Sequence, residues 1–113
     1  MYKQDRTFDE RCRESKAMLI KYPDRIPVIV HPKGTSTPQI DKRKYMSPRA
    51  LTFSQLFYVI RKRLRMDSTK ALFFFLENNA LIVASSQVSD IYERHADEDG
   101  FLYIFYSLEN TFG

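Results

Sequence analysis

The chain has 113 residues, 43% of them hydrophobic and 14% aromatic, enough for one modest core and too few for two. Eighteen basic against fourteen acidic residues leave a net charge of +4, which favours acidic partners but falls short of the charge density of dedicated nucleic-acid binders. Cys12 is alone and cannot form an internal disulfide, no N-terminal apolar run reads as a secretory signal, and no run approaches the ~20 apolar residues that span a bilayer. A cytoplasmic setting with peripheral or covalent membrane attachment is expected.

In chain order, Tyr2 to Arg6 forms a short helical turn or frays. Thr7 with Glu10 is a capping box, and Phe8, Cys12, Ser15, Leu19 and Tyr22 at near-helical spacing predict a helix over 7–22 with that face inward, stopped by Pro23. Residues 26–30, Ile-Pro-Val-Ile-Val, are apolar at every position, which predicts a strand covered on both faces. Pro27 cannot donate to a ladder, so its nitrogen belongs at the strand's start or beside a gap.

His31 to Gln39 reads as a loop. Residues 40–48 predict a short strand with Lys42-Arg43-Lys44 at one end and Pro48 at the other, features of a sheet edge; such an edge can accept a peptide or simply be blunted. Thr52 and Gln55 make a second capping box before Phe53, Leu56, Phe57, Ile60 and Leu64, an amphipathic helix.

Residues 71–76 read as another doubly covered strand, Asn78-Asn79 as a turn, and 81–83 as a short return strand. Ser86 is the expected cap of a brief helix with Val88 and Ile91 inward, ending near His95. Asp97-Glu98-Asp99 reads as solvated charge in a turn at Gly100, and 101–106 as the central strand. A mixed sheet around the one long helix, with the N-terminal helix on its other face, satisfies these patterns.

No catalytic constellation emerges. Gly34, Gly100 and Gly113 fit no phosphate-binding motif, and Cys12, His31 and His95 lack metal-ligand spacing, so neither enzyme activity nor a metal or other cofactor is expected. The basic groups, including Arg61-Lys62-Arg63 with Arg65, fit a solvated face as well as an anion site, and no RNA-binding signature accompanies them.

Six blocks, Tyr22 to Val30, Asp41 to Tyr45, Ile60 to Arg63, Leu72 to Phe75, Asp97 to Tyr103 and Glu109 to Gly113, together resemble the autophagy ubiquitin-like modifiers, the GABA-receptor-associated-protein group, over essentially the whole chain. The resemblance implies an α+β, ubiquitin-like β-grasp domain over 1–113: an N-terminal helical extension (1–22), a core with a four-stranded mixed sheet around one main helix (23–106) and a flexible tail (107–113). It implies conjugation of Gly113 to phosphatidylethanolamine by activating and conjugating enzymes, with a cysteine protease where a precursor extends past the glycine. A chain encoded to end at Gly113 and one trimmed to it fit equally, and a shortened N-terminus leaves the first small helix open. The lipidated form is expected on autophagosome membranes and the free form as a monomer.

By the same resemblance, receptors and scaffolds bearing an aromatic-x-x-aliphatic motif dock as an added strand. Glu14, Met18, Pro27, Ile29, Lys44, Met46 and Phe101 correspond to the pocket for the aromatic, and Tyr45, Pro48, Leu51, Leu56 and Val59 to the pocket for the aliphatic. Arg25, Arg63 and Lys42 are available to acidic residues near the motif. Met18, Met46, Ser47 and Leu56 depart from the family pattern, which leaves peptide preference open. A non-conjugated ubiquitin-like interaction domain and a cytoskeletal or nucleic-acid adaptor are the alternative readings.

Overall fold

The computed structural model describes residues 1–34, 36–67 and 69–108. Among these, eight elements follow in order: α1 (Tyr2–Asp5), α2 (Phe8–Lys21), β1 (Arg25–Pro32), β2 (Lys44–Pro48), α3 (Phe53–Leu64), β3 (Phe73–Leu76), α4 (Val88–His95) and β4 (Leu102–Ser107). The strands make one sheet in the order β2-β1-β4-β3, with β1 and β4 parallel at its centre and antiparallel neighbours outside.

Both faces of that sheet are covered, as the unbroken apolar strands require. On one face Ile26, Val28 and Val30 of β1, Leu102, Ile104 and Tyr106 of β4, and Phe74 and Leu76 of β3 pack with Phe53, Leu56 and Ile60 of α3. The alternate residues, Ile29, Tyr103, Phe105 and Phe75, turn to the other face and pack with Phe101, Tyr2 and Met18. Each fully covered side chain of this size contributes about 1.5–3 kcal/mol of transfer free energy. The architecture is therefore the expected α+β β-grasp, with α3 on one face and the N-terminal helices on the other.

Local chemistry starts the helices where the sequence signals them. Thr7 N–H donates to Glu10 Oε1 at 2.9 Å while Glu10 N–H donates to Thr7 Oγ1 at 3.1 Å, closing the capping box of α2. At α3, Thr52 N–H donates to Gln55 Oε1 at 3.0 Å. The α3 helix ends at Arg65, which adopts a left-handed φ of 56°. Pro27 falls where β1 tolerates it: its nitrogen faces the β4 side, and pairing with β4 begins only at Val28.

Of the two readings of residues 2–6, the helical turn holds: Tyr2–Asp5 is helical, held by the Tyr2 side chain in the second core. Other expectations need correction. Only Ser15 of the predicted inward face of α2 is buried; Phe8 and Tyr22, at its two ends, lie 46% and 41% exposed. His31 and Pro32 belong to β1 rather than to the loop, and β2 begins at Lys44, not at residue 40. The expected return strand at 81–83 reduces to one bridge, Phe75 with Leu81. Gln87, not Ser86, caps α4, since the Ser86 backbone is engaged with Val83 and Phe53. Ser107 is buried in β4 and not part of a tail; residues 109–113 of that tail lie outside the described residues.

The acidic turn is the largest correction. Asp99 is 1% exposed, accepts from Arg11 Nη1 at 2.7 Å, from Tyr103 Oη at 2.5 Å and from Phe101 N–H at 2.9 Å, and its carbonyl accepts from Ser15 Oγ. Burial first, and the bond to Asp99 second, push the Tyr103 hydroxyl well above the usual phenol range. This network pins α2 to the start of β4. Gly100 permits the close approach: its φ is +93°, and a Cβ there would collide with Ser15.

Candidate peptide-docking edge

The two outer strands differ in what their free sides meet. Along β3, Leu76 N–H donates to Ala80 O at 2.9 Å and Ile82 N–H to Phe74 O at 3.0 Å, so the returning chain covers that edge. Nothing among the described residues pairs with the outer side of β2 as a strand. The bond from Val30 N–H to Arg43 O at 2.8 Å, with Val28 opposite Tyr45 and Ile26 opposite Ser47, sets the ladder phase. Tyr45 and Ser47 direct their backbone groups toward β1, while Lys44 and Met46 direct theirs outward.

Side chains divide by the same alternation. Tyr45 and Ser47 are buried on the α3 face, whereas Lys44 and Met46 share the α2 face with Pro27 and Ile29. The predicted site residues thus sort onto opposite faces of one strand.

On the α3 face Tyr45, Pro48, Leu51, Leu56 and Val59 come together around a cavity of about 470 Å³ that runs past the edge strand to Lys42, Lys44 and Met46. The backbone holds Leu51 in place: Val88 N–H donates to its carbonyl at 2.8 Å, and Phe53 N–H bonds Ser86 O at 2.9 Å, so the segment before α4 props up the start of α3. Tyr45 is 7% exposed and its hydroxyl has no partner among the described residues; burial raises its pKa. Lys42 Nζ sits 5.1 Å above the Tyr45 ring.

On the α2 face Glu14, Met18, Pro27, Ile29, Lys44, Met46 and Phe101 gather between α2 and β2, yet only Lys44 and Met46 line the cavity. Ile29 and Phe101 are completely covered and form a floor. Glu14 bridges the gap, bonding both Lys44 Nζ and Tyr2 Oη, with Arg6 3.5 Å away. Burial opposes ionisation of Glu14, but the bonds from Lys44 and Tyr2 outweigh it and hold the carboxyl below its usual range. A second concavity of about 540 Å³ lies alongside, lined by Tyr2, Arg6, Asp41, Lys42, Arg43, Lys44 and Arg63. Arg63 Nε donates to Asp41 Oδ1 at 2.8 Å on its rim.

Two contributors escaped the sequence reading. Tyr22 and Ser47 line the cavity. Tyr22 was placed on the inward face of α2, but as the residue that ends the helix, with φ −131° and ψ 73°, it swings outward beside β2. Its position directly before Pro23 was the available signal, since a residue before proline leaves the helical region.

The family model for "Autophagy protein Atg8 ubiquitin like" matches residues 10–113. The chain belongs to that family. Autophagy-related protein 8a of Arabidopsis thaliana is 50% identical over 113 residues, covering 99% of this chain and 92% of its own. Autophagy-related protein 8 of Mycosarcoma maydis is 48% identical over 113 residues, covering 99% and 95%. The crystal structure of Trypanosoma brucei ATG8 superposes with a TM-score of 0.90 at 36% identity, covering 99% of this chain and 97% of that one. Membership of the Atg8 family establishes a ubiquitin-like autophagy protein, in agreement with the fold. Among the described residues, no helix is long and apolar enough to cross a membrane and no group of His, Cys, Asp and Glu could hold a metal ion.

Proposed function

We propose that this protein is a ubiquitin-like modifier, not itself an enzyme, that recruits autophagy receptors and scaffolds through β2 and is joined to membranes by an amide between the Gly113 carboxylate and the amine of phosphatidylethanolamine. Family membership supports the conjugation, and the match extends to residue 113. The observation that carries the recruitment is the free edge of β2 with apolar residues clustered on each of its faces.

That arrangement explains a spacing of three between the two anchors. In an extended strand, residues an odd number apart point to opposite faces, and three residues span roughly 10 Å. An aromatic directed toward Lys44 and Met46 on the α2 face therefore sends the residue three positions later to the α3 face, over Leu51 and Val59. Because Lys44 and Met46 precede Pro48 and Leu51 in the chain, such a peptide runs parallel to β2. Its backbone bonds the outward groups of Lys44 and Met46, in the manner of strand addition. Entry of the aromatic requires Lys44 to swing from Glu14 and Met18 to shift off the Ile29 and Phe101 floor. Met18 and Met46 are unbranched side chains that adapt to such repacking at low cost.

Truncating the aliphatic pocket tests this reading. Tyr45 is too deeply buried to be removed without weakening the fold, so Leu51→Ala with Val59→Ala is the informative pair. We expect the double variant to unfold within about 2 kcal/mol of the parent and to bind an aromatic-x-x-Leu peptide about tenfold or more weakly by titration calorimetry. Equal affinity in a folded double variant refutes the assignment of this cavity.

A further inference from the structure

The four methionines of the chain occupy unlike places. Met1 is 54% exposed at the N-terminus, and Met66 borders a separate concavity with Tyr58, Arg61, Lys62 and Arg65 at the end of α3. Met18 packs against the second core. Met46 is half-buried on β2, opposite Pro27, and of the four it is the one that lines the docking cavity. Among the described residues it belongs to neither core cluster. The cavity therefore gives a small solute access to this side chain, and a chemical change there leaves the packing of the domain untouched.

We propose that Met46 is a reversible oxidation site, at which a peroxide converts the thioether to the sulfoxide and so closes the docking pocket to an aromatic anchor without unfolding the domain. The inference rests on the docking reading above. In the reaction with hydrogen peroxide, the sulfur lone pair attacks one peroxide oxygen, the O–O bond breaks, an S–O bond forms and water leaves. Sulfur gives up the two electrons that the peroxide takes up. A methionine sulfoxide reductase with a thiol donor reverses the change, removing the oxygen as water while two thiols become a disulfide.

An unoxidised thioether suits an aromatic ligand twice over: sulfur makes a favourable contact with the ring, and the unbranched chain follows the ring's shape. The sulfoxide is polar and chiral. Covering its oxygen with an aromatic ring takes a strong acceptor out of water and gives it no donor in return. In the free protein that oxygen stays hydrated, because Met46 borders an open cavity. The cost thus arises in the complex, which makes Met46 a switch of binding rather than of stability. Oxidation of Met18, which packs with Ile29 and Phe101, weakens the second core instead.

The test is brief exposure of the free protein to hydrogen peroxide, then to dithiothreitol, which reverses disulfide or sulfenate formation at Cys12 but leaves sulfoxides in place. Peptide mass mapping locates the added oxygen, near-ultraviolet circular dichroism follows the fold, and titration calorimetry measures binding of an aromatic-x-x-Leu peptide. The parent should gain oxygen at Met46 before Met18, keep its tertiary signal and bind about tenfold more weakly. The reductases for the two sulfoxide epimers should together restore its affinity. Met46→Leu, a volume-conserving exchange, should lose at most about twofold on the same treatment, although Met1 and Met66 are oxidised. Parental affinity at full Met46 oxidation, oxidation of Met18 ahead of Met46, an equal loss in Met46→Leu, or no recovery with the reductases overturns the oxidation site. Failure of the untreated parent to bind the peptide overturns the docking reading, and the oxidation site with it.

Discussion

His31 shows what a single buried group does to the whole chain's response to acid. It is 2% exposed, its Nε2 accepts from Tyr2 N–H at 3.3 Å, and it packs between Tyr103 and Phe105. Burial above all, with Arg43 and the N-terminal amine adding repulsion and only Asp5 opposing, pulls its pKa down from 6.5 to about 4. The native state therefore binds this proton less well than the unfolded chain. Stability from this residue is full above pH ~6.5 and is lost as pH falls toward ~4, by about 2–3 kcal/mol at pH ~4.5. Glutamine can accept the same bond and does not titrate. Denaturant unfolding at pH ~7 and ~4.5 should show the parent losing about 2–3 kcal/mol more than His31→Gln; parallel losses would contradict this account.

Residues of this kind were the least legible from sequence. His31 stands before Pro32, and a histidine-proline pair at the end of an apolar run reads as a loop; yet Pro32 is tolerated as the last residue of β1, opposite Tyr106. Asp99 sits among three consecutive acids, a pattern identical for a solvated turn and for a buried ligand of Arg11 and Tyr103. Only the partner from α2, 88 positions away, distinguishes the two.

At the scale of elements much more was readable, because each strand and helix states its own burial. Unbroken apolar runs demanded two covered faces, and the cores on either side of the sheet supply them. Strand ends are less legible where charge takes over: the expected strand over 40–48 is shorter, since β2 spans Lys44–Pro48 and only the Arg43 carbonyl continues the bonding to β1 beyond it. In the proposed docking the N-terminal helices form part of the receptor surface as well as of the core, since Tyr2 seals the second core at 3% exposure and Glu14 bonds Lys44 of β2. Removing residues 1–22 would uncover Ile29, Phe101, Tyr103 and Phe105 together, an apolar patch large enough to drive association. We expect that truncation to sediment as oligomers and to bind the docking peptide at least ~10-fold more weakly; a monomeric truncation with parental affinity would show that these helices are dispensable.

For the whole molecule, the proposed function assigns the docking edge and Gly113 to different encounters. In the proposed recruitment, receptors dock on β2, at the opposite edge of the sheet from β3. In the proposed conjugation the enzymes act on the Gly113 carboxylate, which lies outside the described residues. Activation and thioester transfer put the terminal carbonyl in confined sites, and glycine adds no side chain to crowd it. The proposed transfer is an acyl exchange: the lipid amine attacks the thioester carbonyl, the enzyme thiol leaves, and an amide forms. Membership of the Atg8 family and the fold are established by the matches, and the separation of the two roles predicts that one can be lost while the other remains.

The measurement that bears most directly on the proposed conjugation is the intact mass of this protein after incubation with its cognate activating and conjugating enzymes, ATP and phosphatidylethanolamine vesicles. The parent should gain the mass of one phosphatidylethanolamine less one water, and the chain lacking Gly113 should remain unmodified while still binding the aromatic-x-x-aliphatic peptide. An unmodified parent, or efficient conjugation of the chain lacking Gly113, would contradict the account.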